Sequence, residues 1–320
     1  MFVEELEQFA AAVSDPRCAA IARRLATPLR VAVAGRNGVG RRTVAHALTL
    51  AGELRGTIAL TTSSAADLDV YVLAEVAKPE DLDALSTARR PMLAVLNKAD
   101  LIATTASGCH PHGPTNAARA RCAQLSVHAG TPIEPLVGIL ALDDLLDDGV
   151  WAGLQTLAGG HPVDANVRRR LIGALDEFGV AQATVAIRRG ATRAAVDALL
   201  RSLSCIDEVA DKIEALGAQV RYQRVLDAVA ELETLAVTDQ RISAFLTRDD
   251  TVVARMMAAV DVVEAIGIEV DRGDTADVHL RRAVHWQRYR RGPVTGAHRA
   301  CGADIVRGSL RLWTKVGGAV

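Results

Sequence analysis

Aromatic side chains are scarce in this 320-residue chain, at 3%, and neither sign of charge is in excess. The 37 Lys and Arg against 38 Asp and Glu leave a formal net charge of -1. So even a balance gives no general nucleic-acid footprint, and no nucleic-acid partner is expected. No apolar run approaches the ~18 residues that a membrane-spanning helix needs. The start, MFVEELEQFA, is acidic and amphipathic rather than a secretory leader. Five cysteines, an odd number with no C-x-x-C pair, read as free thiols in a reducing compartment, so the expected location is cytoplasmic. Repeats of fixed period, proline-rich stretches and low-complexity segments are all missing. What is present is 50% hydrophobic residues, rich in Ala and Leu. That composition favours helix and is long enough for one large or two ordinary domains.

The most informative stretch is Val31 to Val44, VAVAGRNGVGRRTV. Leu29 to Ala34 reads as a buried strand, Gly35, Gly38 and Gly40 as a glycine-rich turn, and the residues from Thr43 as an amphipathic helix. Strand, glycine turn and helix is the context of a phosphate-binding loop, in which backbone N–H groups and a helix N-terminus face phosphate oxygens. Gly35 and Gly40 have the spacing of G-x-x-x-x-G-K-[ST]. Arg41 replaces the lysine, however, and Arg42 replaces the hydroxyl residue that normally holds Mg²⁺. Thr43 lies one position late, a poor metal ligand. The phosphate-binding set is thus Gly35, Asn37, Gly38, Gly40, Arg41, Arg42 and Thr43.

Downstream, a strand candidate at Thr57 to Thr61, a buried strand at Asp69 to Val76, a helix from Pro79 and an apolar strand from Pro91 keep alternating. This pattern predicts a doubly wound, mostly parallel sheet. The Pro91 strand, PMLAVL, runs into Asn97-Lys98-Ala99-Asp100. Here the chain resembles the guanine-nucleotide-binding proteins, P-loop GTPases whose base-recognition motif is N-K-x-D at the end of a late strand. The resemblance implies GTP or GDP as ligand. Asp100 would accept from the guanine N1 and N2 hydrogens, Asn97 would support the base edge, and the Lys98 stem would cover the ring. The end of G-I-L-A-L looks like the family's final S-A-x motif, matched only by Ala141. The family's D-x-x-G is missing between Thr43 and Asn97, and that span is too short for two full switch loops. Thr61 or Thr62 would be the switch threonine, and Asp67 or Asp69 the fallback aspartate. Cys109, His110, His112, Cys122 and His128 lack the spacing of a structural zinc site and read as incidental.

From Asp143 onward strand signals nearly vanish. Apolar residues at helical spacing, such as Ile206, Val209, Ile213, Val229 and Leu232, fill the rest of the chain. The expected organisation is N-terminal helices over 1-28, a nucleotide domain over 29-148 and a helical bundle domain over 149-320, the boundary lying at about 143–160. Residues 2–26 cannot bury an apolar face alone, so they are expected to pack on the C-terminal helices. This layout resembles the dynamin-like branch of the GTPases, including the paired bacterial members. Such a likeness implies a protein partner, either a second GTPase or a second copy. The segment 281–291 carries Arg281, Arg282, Arg288, Arg290 and Arg291 beside Trp286 and Tyr289. It reads either as a peripheral membrane contact or as a solvated face whose aromatics dock on the bundle. Three functions stay open: a non-catalytic guanine-nucleotide-binding protein, an active GTPase using Mg²⁺, and a structural helical adaptor with relic motifs. Loss of the loop lysine, the metal hydroxyl and the D-x-x-G favours the first.

Overall fold

The computed structural model describes residues 1–105 and 113–317. Two helices open the chain, α1 (Phe2–Val13) and α2 (Pro16–Leu25). An alternating segment follows: β1 (Leu29–Gly35), α3 (Arg41–Arg55), β2 (Ile58–Leu60), β3 (Leu68–Ala74), α4 (Pro79–Ser86), β4 (Met92–Asn97), α5 (Asp100–Thr105), α6 (Gly113–Ala129) and β5 (Ile133–Leu136). The remainder is helical: α7 (Asp148–Ala158), α8 (Ala165–Arg188), α9 (Arg193–Ser204), α10 (Ile206–Ala236), α11 (Gln240–Thr247), α12 (Asp249–Ala265), α13 (Ala276–Tyr289) and α14 (Gly296–Lys315). The fold is therefore α/β with a large helical part. Side chains start many of the helices: Asp15, Asp147, Asp164 and Thr192 each accept a backbone N–H of the following turn. Gly217 does not interrupt α10, because the residues around it bury apolar side chains on both sides of the glycine.

All five strands are parallel, in the order β2-β1-β3-β4-β5. Parallel strands are covered on both faces, which is why β3 and β4 read as apolar runs rather than as alternation. Tyr71, Leu73, Ala94 and Leu96 pack with Leu85 of α4 and with Cys122 and Leu125 of α6. Alternate residues along a strand point to opposite faces, so Val70, Val72, Leu93 and Val95 turn the other way. In this strand order the chain reverses direction of winding between β1 and β3. Open α/β sheets place ligands outside the carboxyl ends of the strands at that point.

The chain divides into two compact units. One is Pro28–Glu214 and holds the sheet. It extends well beyond the boundary at 148 expected from the sequence. The reason is a core in which Leu154, Leu171, Leu175, Val196 and Leu200 of α7 to α9 pack with Val137 and Leu140, just after β5. The other unit joins Met1–Thr27 to Ala215–Val320. There Phe2, Leu6 and Phe9 of α1 share a core with Val229, Leu232 and Phe245, and the Phe9 and Phe245 rings stack at 4.4 Å. A second core in the same unit gathers Tyr222, Met256, Trp286 and Ile305. Among the described residues, no helix is long and apolar enough to cross a membrane.

Candidate functional site

The glycine loop leaves β1 at the carboxyl end of the sheet, next to β3. Gly35 has φ 135°, and a Cβ there would stand 2.5 Å from the Val72 carbonyl oxygen, so only glycine lets the chain turn off the strand this close to its neighbour. Arg36, the next residue, does not face the mouth of the loop. Its Nε donates to both carboxylate oxygens of Asp81, at 2.8 and 2.9 Å. Asp81 is wholly buried in the first turn of α4, where it also accepts from the Tyr71 hydroxyl at 3.0 Å and the Lys78 N–H at 2.9 Å. Burial pushes the Asp81 carboxyl up, but Arg36, the Lys78 N–H and Tyr71 together outweigh it and hold the group below its ordinary value. Burial and the adjacent carboxylate push the Tyr71 hydroxyl up to about 12. The root of the loop is thus pinned to α4 by an ion pair whose carboxylate is buried and whose guanidinium is partly exposed, a role the sequence pattern did not mark for either residue.

At its far end the loop becomes the N-cap of α3. Gly40 has φ 88°, and a Cβ there would lie 2.4 Å from Asn97 Nδ2. The helix therefore opens at Arg41, two residues earlier than Thr43. Arg41 and Arg42 are both exposed on its first turn, and Arg41 Nη2 donates across the loop to Asn37 Oδ1 at 2.7 Å. A helix N-terminus carries partial positive charge, so two cations there oppose the dipole unless an anion joins them. Thr43 is half-buried, and its Cγ2 lies 3.6 Å from where a Cβ on Gly138 would stand. Its methyl thus lies beside the turn that begins at Gly138.

The base-recognition residues converge on the same end of the sheet. Asn97, 3% exposed, donates through Nδ2 to the Val39 carbonyl at 2.9 Å and accepts at Oδ1 from the Gly138 N–H at 3.0 Å. Each end of its amide makes one backbone bond, which leaves a second Nδ2 hydrogen and a second Oδ1 lone pair. It ties the glycine loop to the 3-10 turn Gly138–Ala141, a positioning role beside the expected support of a base edge. The turn holds Ala141, which is buried. Lys98 is exposed at φ 58°, a left-handed conformation that swings the chain from β4 into α5. The Ala99 N–H bonds the Leu136 carbonyl at 3.2 Å, fixing the motif to β5. Asp100, 5% exposed, opens α5. Burial raises its carboxyl above the ordinary value, and the nearby Asp176 carboxylate raises it further.

Other candidates are not part of this constellation. Asp67 sits at the opposite, amino-terminal end of the strands, where it accepts from the Arg30 N–H and guanidinium. Asp69 is at the start of β3, paired with Arg90 at 3.1 Å. Neither faces the glycine loop. Thr61 and Thr62 follow β2 at the carboxyl end, but only Gly56 and Thr57 separate α3 from β2, too few residues to form a switch loop. Among the described residues no group of three His, Cys, Asp or Glu is placed to hold a metal ion. Cys109, His110 and His112 lie outside the described residues. Cys122 is buried, its thiol pushed up to about 12 by burial, and His128 is exposed. In the segment 281–291, Arg282 is buried, with its guanidinium on the Ser309 hydroxyl, the Asp271 carbonyl and His279. Trp286 is in the core and Tyr289 packs edge-on against it, which leaves Arg281, Arg288 and Arg291 on the outside. No protein-family model matches the chain, and no curated protein matches it.

Proposed function

We propose that this chain is a guanine-nucleotide-binding protein, a degenerate relative of the P-loop GTPases, that holds nucleotide without hydrolysing it at a useful rate. The observation that carries the reading is the Asn97 amide. It joins the glycine loop at Val39 to the turn at Gly138, so a phosphate-type loop and an N-K-x-D strand end are built as one unit at the carboxyl end of the sheet. The N-terminus of α3, with Arg41 and Arg42, suits a polyphosphate. Asp100 suits a base edge that offers two N–H donors, a pairing that adenine does not supply. The residues fit Mg²⁺ poorly: Arg41 and Arg42 stand where the loop lysine and the metal-holding hydroxyl would be, among the described residues no three His, Cys, Asp or Glu are grouped to hold a metal ion, and no step is derived through the metal. Without catalysis the nucleotide serves as a conformational ligand, and the function is exerted on a protein partner, a second GTPase or a second copy of this chain.

The test is titration of GDP, GTP, ADP and ATP with and without Mg²⁺, with hydrolysis followed on the same sample. Guanine nucleotides should bind in preference to adenine nucleotides, with little dependence on Mg²⁺ and no turnover. Equal affinity for ATP and GTP would overturn the guanine reading. A second reading, a structural adaptor with relic motifs, draws on the tight enclosure of Asp100, and the same titration separates it by the absence of any binding.

A further inference from the structure

The helix α8 is not continuous. At Asp176 the backbone takes φ 59° and ψ 173°, a conformation that L residues other than glycine rarely hold. Asp176 Oδ1 accepts the N–H of Glu177 at 2.8 Å, closing the break locally. Two residues on, Phe178 joins Asp100, Pro135, Leu203 and Cys205 in walling a small cavity. The space left is about 10 Å³, room for one water at most. Sites for small organic ligands run to roughly 300–1,000 Å³. The carboxylate best suited to a purine edge is therefore sealed by the chain's own helix. Burial, with a smaller part from the Asp176 carboxylate, raises the Asp100 carboxyl. A helix that ran straight through 176 would avoid the unfavourable backbone.

Resting on the guanine reading, we infer that the second half of α8 is a built-in stopper: Phe178 occupies the base pocket, and straightening of α8 at Asp176 withdraws the ring and frees Asp100 for guanine. Nucleotide and Phe178 then compete for one space. Affinity is reduced by the fraction of molecules in which α8 is straight, and binding of the base reports itself as a movement of α8. This gives a chain without switch loops a different way to pass nucleotide state to a partner, through the helical layer of its own unit.

The experiment uses the full chain with two variants and two readouts, the affinity for GDP against ADP and the alkylation rate of Cys205 by N-ethylmaleimide, followed peptide by peptide. Cys205 is buried in the cavity wall, so its labelling reports opening without any nucleotide. Phe178→Ala should bind GDP about tenfold more tightly and label Cys205 about tenfold faster, as expected for removing a closed-state penalty. Asp176→Gly should act in the opposite direction. Glycine accepts the kinked backbone without strain, so the closed form gains, GDP binding weakens and labelling slows. If Phe178→Ala leaves labelling and GDP affinity unchanged, the stopper is overturned while guanine binding stands. If labelling rises but GDP binds no better than ADP, the guanine reading fails and the inference with it. Should Phe178→Ala not fold, Asp176→Gly decides alone: stabilisation with unchanged GDP affinity and labelling would mean a merely structural kink.

Discussion

The two ends of the candidate site are built to different standards. At the base end, Asn97 is bonded to backbone at both ends of its amide, the Ala99 N–H is bonded to Leu136, and Asp100 is enclosed, with Lys98 alone of the motif exposed. At the phosphate end, the root of the loop is locked by Arg36 and Asp81, but the side chains facing outward, Arg41 and Arg42, lie exposed on a helix start with only Asn37 as an internal partner for Arg41. Scaffold and chemistry have come apart. On the proposed reading, the backbone frame suits a nucleotide, while Arg41 and Arg42 stand where a loop lysine and a metal-holding hydroxyl would be expected. The contrast can be broken by mutation at either end.

The largest effect is expected at the locked root. Removing the buried Asp81 carboxylate leaves the Tyr71 hydroxyl and the Lys78 N–H without their acceptor and takes the anchor from Arg36, so Asp81→Ala should cost about 2 kcal/mol in denaturant unfolding. The pH dependence has a definite sign. The folded-state carboxyl of Asp81 lies below its unfolded value of 3.8, so its stabilisation is present above that pH and is lost as pH falls through the folded value. The gap between the natural chain and the variant should therefore close in acid. A loss below about 1 kcal/mol at neutral pH would place this pair with ordinary surface bridges.

Asn97→Ala should come next. It removes two buried hydrogen bonds and strands the Val39 carbonyl and Gly138 N–H, at a cost of about 2 kcal/mol. If Asn97 is the brace between the two ends, GDP and inorganic phosphate should both bind less well. Loss of stability with phosphate binding intact would show the glycine loop standing on its own.

Much of this frame was legible in the sequence. The glycine spacing and the N-K-x-D strand end marked the two turns that the fold brings together at one end of the sheet, because each depends on backbone geometry that few residue types satisfy. The run of helices after Asp143 was legible as well, since apolar period survives in any amphipathic helix. What those helices pack against was not. Period tells that Leu171 and Leu175 bury a face, and nothing in it says that the face meets Leu140 beside the sheet. The kink at Asp176 was hidden as well: LDEF carries neither proline nor glycine to mark a break at that residue. Asp81 read as a first-turn acid of α4 and Arg36 as a loop residue. Only the fold brings together two positions 45 residues apart.

A smaller, pH-dependent effect is expected at Asp100. Burial and Asp176 raise its carboxyl, so the protonated form is favoured by folding and the charged form is penalised. The penalty is absent below the unfolded value of 3.8 and sets in as pH rises through the folded value. Asp100→Asn, which never charges, should raise the melting temperature by a few degrees at pH 7 and by nothing at pH 3 to 4. The same change should abolish the preference for guanine. A variant stabilised at neutral pH that still prefers GDP would separate the enclosed carboxylate from base recognition, and would weaken the contrast between a finished base end and an unfinished phosphate end.

The smallest effect concerns catalysis. Restoring the family's residues with Arg41→Lys and Arg42→Ser returns a point charge for the phosphates and a hydroxyl for Mg²⁺. Affinity should change by a few fold and become dependent on Mg²⁺. Turnover should stay undetectable, because nothing else at the phosphate end supports it. Asp67 and Asp69 are committed to arginines at the amino-terminal end of the strands, and two residues between α3 and β2 leave no loop to order an attacking water. Phosphoryl transfer depends on all of these parts being placed together, so repairing two of them yields binding before rate. Measured on one sample, Mg²⁺-dependent affinity without phosphate release is the expected result. Multiple turnover by the double variant would mean that the water-positioning group comes from a residue outside this constellation, and that the phosphate end is only two substitutions short of an enzyme.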